Sequence, residues 1–313
     1  MWNVVLPFFI DGGFPALSDD ESCQQDRTSY NILLHSQRGH GLSELPFPSE
    51  GEDEQGRTTI PLLAADIHHL ISTIIGGRAQ SEDGQTHTPE VHIIGVSQGG
   101  AAALAYYALY GGSATEGVKV KSIVACDTAP RTPPGNKQAW EDRITLVLGR
   151  PVEGEGDVYA QTIGMAKLAK VTLPRWFPAG SALLLSPFLR AREAWLRDMV
   201  SRTPVEGFVA GALALGSYDT ALPPPSLLHA EAPVKESESD LTRVLLLAGS
   251  LDGGGKVGKE LKAFAERWAE GGRQVVEYVE VEGAGHLPMI DMPERFCRVL
   301  GAWLGGGKGG LGQ

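Results

Sequence analysis

Cysteine is scarce in this chain and scattered. Cys23, Cys126 and Cys297 are odd in number and far apart, and no two share the spacing of a metal site. That argues against a disulfide scaffold or a zinc module and fits a reducing compartment. Cys126, inside the apolar run SIVACD, reads as a buried structural thiol. Long hydrophobic runs are also missing: no stretch approaches the roughly 20 apolar residues that a membrane helix needs. The apolar opening MWNVVLPFFI is short, has no basic segment before it and runs into DGGFP instead of a small-residue cleavage site, so no signal peptide is read and a cytoplasmic protein is expected. Positive charge is in deficit as well, with 27 Lys and Arg against 38 Asp and Glu, a formal charge of -11 and a pI near 5.2. Such a surface repels phosphate backbones and anionic headgroups. No basic run interleaves with aromatics, which disfavours nucleic acid and membranes as partners.

What is present is enough apolar material, 42% of 313 residues, to bury a sizeable core. Five short runs, YNILLHS, VHIIGVS, KSIVACD, RVLLLAGS and VEYVEVEG, are rich in Ile, Val and Leu and mostly apolar on both faces. Strands covered by helices on both sides have that pattern, so a parallel sheet is expected. Between the first two runs, Leu63, Ile67, Leu70, Ile71 and Ile74 recur at helical spacing. His68 and His69 fall largely off that stripe and read as solvated helix residues with no metal role. The segment GGAAALAYYALY has small residues on nearly every face, which suits a helix seated close against a sheet. The fold class read from this alternation is α/β, doubly wound.

Two stretches depart from the alternation. Residues 130–220 turn helical and irregular, with Trp140, Trp176, Trp195 and many arginines, and read as a helical cap inserted into a core of residues 1–129 and 221–313. A Pro-rich and then acidic connection, LPPPSLLHAEAPVKESESD, returns to the strand RVLLLAGS. PSEGEDEQG and SEDGQTHTPE look like surface loop insertions, the tail GGGKGGLGQ reads as flexible, and no internal repeat is visible.

GVSQG carries the chemistry. Gly-x-Ser-x-Gly alone is a weak pattern, and its bland reading is a serine in a tight turn before a helix. Here it joins an apolar strand to a helix, the setting in which a strained turn lifts a serine hydroxyl off the sheet, with Gly95 and Gly99 removing side chains from the bend. Ser97 is thus the candidate nucleophile and the Gln98 N–H the candidate oxyanion donor. A serine needs a base and an acid to orient that base, in the order Ser, acid, His for this arrangement. AGSLDGGG places Asp252 just past one strand end, and EGAGHLPMIDMPE places His286 in a Gly-rich loop past the last strand. The bland alternatives are a helix-capping aspartate and a surface-loop histidine.

These blocks, HSQRGHGLSELP, GVSQGG, AGSLDG and EGAGHLPMIDMPE, resemble those of α/β-hydrolases. The segments CDTAPRTPPGNKQAWEDRI, RWF and WLRDMVSRTPVEGFVAGALALGSYD are similar to the matching region of 3-oxoadipate enol-lactonases, enzymes of the β-ketoadipate route of aromatic catabolism. The resemblance runs from Met1 to about Trp303. It implies a catalytic triad of Ser97, Asp252 and His286, and its Trp-x-x-Arg-Ile motif maps onto Trp140, Arg143 and Ile144. It also implies a small-molecule lactone or ester substrate, and no metal or organic cofactor. A family lactone carries a carboxylate arm, which demands a cation; Arg143, Arg131, Arg38 and Arg175 are the candidates, with a loop-holding role the alternative for Arg38 and packing within the cap the alternative for Trp140. The chain departs from the family at its start. MWNVVLPFF looks like a segment that follows the third strand, so the first strands and the loop that donates a second oxyanion N–H are expected to be missing. The competing reading makes NVVLPFFI the strand beside GVSQG and DGG its oxyanion loop, against which Pro7 argues. A general carboxylesterase, a C–C bond hydrolase, a perhydrolase and an inert protein on a hydrolase fold remain open.

Overall fold

The computed structural model describes residues 1–10, 30–45, 58–76, 88–111, 117–149, 156–187, 190–220, 242–269 and 276–305. Four of the five apolar runs form one parallel sheet: β1 (Glu90–Val96), β2 (Lys119–Cys126), β3 (Arg243–Gly249) and β4 (Val276–Val281), in the spatial order β1-β2-β3-β4. Alternate side chains go to opposite faces of a strand, and both faces here are apolar. Val124, Cys126, Leu245, Leu247, Val279 and Val281 join one cluster, while Ile123, Ala125, Val244, Leu246, Ala248 and Val276 join the other. The runs read as two-faced because each strand has a core on each side. PSEGEDEQG, the connection from Leu222, the last eight residues and Cys23 lie outside the described residues, as does SEDGQTHTPE up to residue 87; its Glu90 is not loop but the first residue of β1.

The fifth run is different. Residues 30–36 of YNILLHS form no ladder, and Ile32, Leu33 and Leu34 are each more than a third exposed. The segment lies alongside β1, with Tyr30 edge-on to His92 near the strand's start and Gln37 beside Gly99 past its end. Periodicity cannot distinguish an extended segment that lacks a hydrogen-bonded neighbour from one that has one. Among the described residues β1 is therefore an edge of the sheet. The segment Val4–Ile10 is not a strand at that edge: Trp2–Val4 is a 3-10 turn and Leu6–Ile10 is helix α1, with Val5 and Phe9 buried in the cluster that holds Val96, Val124, Leu245 and Val279. Pro7 fits the first turn of a helix, where its missing N–H costs nothing. DGG lies outside the described residues.

On one face of the sheet lie α2 (Ile60–Leu70, capped by the Thr59 hydroxyl), α3 (Gln98–Tyr110) and α10 (Lys256–Ala269). Ala101 through Tyr107 are all buried, so α3 is covered on every side, between α2 and the sheet. His68 is only partly solvated: its ring stacks on Tyr110 with centroids 4.0 Å apart and its Nδ1 is buried, whereas His69 is exposed. Between β2 and β3 the chain forms α4 (Asn136–Leu148), α5 (Gly156–Tyr159), α6 (Met165–Trp176), α7 (Ala182–Leu185), α8 (Arg190–Ser201) and α9 (Val205–Gly216), and α11 (Pro288–Asp291) and α12 (Pro293–Leu304) follow β4. Phe296, Cys297 and Leu300 of α12 pack into the cluster on the other face, whereas Ala214 of α9 packs into the cluster of α2 and α3. Val147, Met165, Leu168 and Leu196 from the stretch between β2 and β3 share one cluster with Val124, Leu245 and Val279 of the sheet. No helix among the described residues is long and apolar enough to cross a membrane.

Strand and helix meet most tightly at the β1–α3 turn. A Cβ on Gly95 would be driven into the backbone carbonyl of Gly99, whereas a Cβ on Gly99 would meet only Gln37 Nε2 at 3.5 Å. Of the two glycines flanking Ser97, only Gly95 is sterically required. Gly95→Ala is expected to lose about 1–3 kcal/mol or more from overpacking. Gly99→Ala should be neutral or stabilising by up to about 1 kcal/mol from helix propensity. Denaturant midpoints of the two variants check this, and equal losses would refute the distinction.

Candidate active site

Ser97 sits between the last residue of β1 and the first of α3 with φ 54° and ψ -117°. A non-glycine residue in such a region costs about 1–3 kcal/mol and persists only where its surroundings hold it. Its amide donates to Cys126 O at 2.9 Å and its carbonyl accepts from Ala101 N at 2.9 Å. It occupies the position before a helix where serine usually caps, yet its side chain caps nothing. Among the described residues its hydroxyl has no hydrogen bond, to His286 or to a helix amide. Gln98 is the first helical residue, so its N–H has no acceptor within the helix. The Gln98 side chain reaches away and donates to Gly211 O of α9 at 3.2 Å.

The structure brings Asp252 and His286 together: His286 Nδ1 lies 2.9 Å from Asp252 Oδ2, with the two side chains 16% and 7% exposed. Because a carboxylate only accepts, Nδ1 carries the hydrogen, and Nε2 is left with its lone pair. Hydrogen bonds from backbone amides lace the two loops into one edge. Leu251 N donates to Ala284 O, Ser250 N to Val281 O, and Gly283 N to Ser250 Oγ. His286 N donates to Trp176 O at the end of α6 at 2.8 Å, and the Trp176 ring stacks over the imidazole at 5.8 Å. A Cβ on Gly285 would strike that same Trp176 carbonyl, and one on Gly249 would strike Gly285 O, so bare backbone is what lets three elements converge here. Asp291 fastens the loop from below, accepting Gly285 N at 2.8 Å and Leu183 N at 2.7 Å. Burial pushes its carboxyl up, and these amides oppose the rise.

Two groups at this edge were not singled out in the sequence. Asp127 directly follows β2, is buried, and accepts Gly249 N on Oδ1 at 2.8 Å. Burial first, and then the charge of Asp252, push its carboxyl well above the usual carboxylate range, against the Gly249 bond, which lowers it. Its position immediately past an apolar strand, in SIVACD, is the signal that could have marked it. Asp291, in MIDMPE, has no comparable signal. Asp127, Asp252 and His286 each offer a ligand atom within 4.8 Å of the others, so these three could hold a cation. The direct Nδ1–Oδ2 hydrogen bond makes the cluster a proton-holding one.

The candidate cations separate. Arg143 and Arg175 flank Trp140, with guanidinium carbons 4.7 and 5.9 Å from its ring centre. Arg143 also donates to Ala139 O. Arg175 is exposed by surface area yet crowded at its charged end: burial and then Arg143 lower it to about 10, with Asp252 opposing. Burial also lowers Arg143, with Asp142 opposing. Among the described residues neither forms a salt bridge. Arg38 is instead bound to Asp66 of α2, with Nε 2.8 Å from Oδ2, and Arg131 faces Asp219 at the surface. A cavity of about 540 Å³ lined by His35, Arg38, Glu44, Asp66 and His69 contains none of Ser97, Asp252 and His286. It is open and holds a satisfied ion pair, so the sheet edge is the better candidate for chemistry.

A parallel sheet with a strained serine before α3 and an Asp–His pair past β3 and β4 invites comparison with known proteins. No protein of curated function matches the chain in sequence. Among solved structures it is similar to the enol-lactonase from Burkholderia xenovorans LB400, at 23% identity and TM-score 0.56 over 86% of this chain and 78% of that one. A thermophilic esterase from Thermogutta terrifontis matches at 21% identity and TM-score 0.56 over 87% and 79%. A bromoperoxidase from Bacillus anthracis matches at 13% identity and TM-score 0.59 over 97% and 86%. At these identities the likeness is one of fold. The profile described as "Alpha/beta hydrolase family" matches residues 2–299, and on that match and this architecture the chain belongs to the alpha/beta hydrolase family.

Proposed function

We propose that the protein is a serine hydrolase that opens a carboxylate-bearing enol-lactone through Ser97, His286 and Asp252. The observation that carries the reading is the uncapped, left-handed Ser97 at the same sheet edge as a hydrogen-bonded His286–Asp252 pair. His286 Nε2 takes the Ser97 proton as Oγ attacks the lactone carbonyl, and Asp252 holds the imidazolium that results. Such a serine–histidine bond is commonly long without substrate and tightens in the complex. The Gln98 N–H, unused by its helix, receives the negative oxygen; a single donor of this kind is worth about 10²–10³ in rate. Ring opening expels an enolate, which is far more stable than an alkoxide, so His286 needs little acid strength to protonate it. Water deprotonated by His286 then releases the acid from Ser97.

Substrate choice follows from charge. Arg143 and Arg175 face one tryptophan beside the catalytic edge, both disfavoured by burial, and Arg175 disfavoured further by Arg143. A substrate carboxylate relieves both penalties at once and is held by charge-assisted hydrogen bonds. Trp140 then forms the flat wall against which the lactone ring packs.

A fluorophosphonate probe should label the protein, and Ser97→Ala should abolish labelling; a folded wild-type sample that takes no label refutes the reading. Enol-lactone with a carboxylate arm should be preferred over a neutral aryl ester, and the reverse preference would make the protein a general carboxylesterase. Arg175→Gln should raise KM for the carboxylate substrate roughly 10- to 100-fold, the worth of a hydrogen bond to a charged group, while leaving neutral-ester hydrolysis unchanged. Equal losses on both substrates would remove Arg175 from the substrate site.

A further inference from the structure

Two carboxyl groups lie behind His286, and one of them suffices to hold the imidazole. Asp252 does so through Oδ2. Asp127, 3% exposed, has one oxygen on the Gly249 amide, while its Oδ2 is buried and meets no donor. One of its carboxyl oxygens lies within 4.8 Å of a carboxyl oxygen of Asp252 and of a ring nitrogen of His286. The backbone enforces this approach. Asp127 has φ 45°, a left-handed conformation that a non-glycine residue adopts only under constraint, and its amide donates to Leu247 O at 2.8 Å. Main chain and side chain both stitch it to β3, one strand from the one that bears it.

Two ionised carboxylates this close, out of water, repel each other, and each offers only acceptors. One proton between them turns the repulsion into a hydrogen bond and satisfies the orphaned Oδ2. The other titratable groups packed around Asp127 supply no counter-charge. Cys126 on its own strand is held neutral by burial first, with Asp127 adding to the effect, and Tyr278 on β4 by burial, then Glu280, then Asp127; Glu280 is itself an acid. Arg175 of α6 acts on Asp252.

We propose that Asp127 is a positioning residue for the His286–Asp252 pair: its carboxyl stays protonated at neutral pH and its Oδ2–H donates to Asp252, fixing that carboxylate without adding a second negative charge behind the imidazole. The catalytic consequence rests on the serine-hydrolase reading; the proton itself does not. Asn at this position reproduces the arrangement, with Oδ1 accepting from Gly249 and Nδ2–H donating to Asp252.

The proton is tested by infrared spectroscopy at pH 7. The difference spectrum of wild type minus Asp127→Asn should contain the carbonyl stretch of a buried carboxylic acid, and its absence overturns the proposal whether or not Ser97 reacts. The positioning role is tested by the pH dependence of fluorophosphonate labelling. Asp127→Ala removes the donor, leaves more negative charge on Asp252 for His286, and should move the acid limb up by about half a unit or more. Asp127→Asn should restore the wild-type limb. A limb that moves down by about a unit in Asp127→Asn would mean that a negative charge had been removed, and a limb that moves in neither variant would mean a merely structural residue; either result overturns the proposal. An infrared band without labelling at any pH would refute the positioning role through the hydrolase reading and not through the proton. Should Asp127→Ala fail to fold, the spectrum and the Asn variant still decide.

Discussion

The turn at Ser97 is the constraint on which the rest depends. A serine before a helix ordinarily takes extended angles and caps the helix with its own hydroxyl. Here the bend is so sharp that the residue takes a left-handed angle, and its hydroxyl caps nothing. The strain is held in place from both sides: the amide is fixed to β2 at Cys126 O, the carbonyl is fixed inside α3 at Ala101 N, and the absent side chain of Gly95 lets strand and helix touch. The buried run Gly100–Tyr107 supplies the rigidity, because a helix enclosed over two turns cannot swing away to relax the bend.

The other half of the site is built by a different device. No strain is concentrated at Asp252 or His286. Their loops are instead joined backbone to backbone, with Gly249 and Gly285 bare so that β3, the loop after β4 and the end of α6 can pack within contact. The carboxyls of Asp127 and Asp252 lie beside the histidine, and the guanidiniums of Arg143 and Arg175 gather around Trp140, with the Asp252 charge acting on Arg175.

Much of this was legible along the chain because the signals were local. Four apolar runs became four parallel strands since burial on both faces leaves an unbroken hydrophobic pattern, and the small residues of GGAAALAYYALY announced a helix that would be enclosed. YNILLHS carried the same pattern and became exposed extended chain, since composition encodes burial preference but not the presence of a hydrogen-bonding neighbour. NVVLPFFI, also apolar, became helix, in keeping with Pro7 in its first turn. His68 read as solvated from its place off the helical stripe, yet Tyr110, 42 positions away, covers it.

By itself the sequence determined which segments seek burial, where a strand must turn abruptly into a helix, and which acid and imidazole stand at loop positions after strands. Those properties depend on side-chain size, polarity and neighbours within a few residues. Only the tertiary structure decided that Asp127 joins Asp252, that Arg175 stands with Arg143 around one indole while Arg38 is taken by Asp66, and that Gly95 matters where Gly99 does not. Each of these is a meeting of groups far apart in the chain, and electrostatic and steric energies depend on separation in space, which one-dimensional order does not contain.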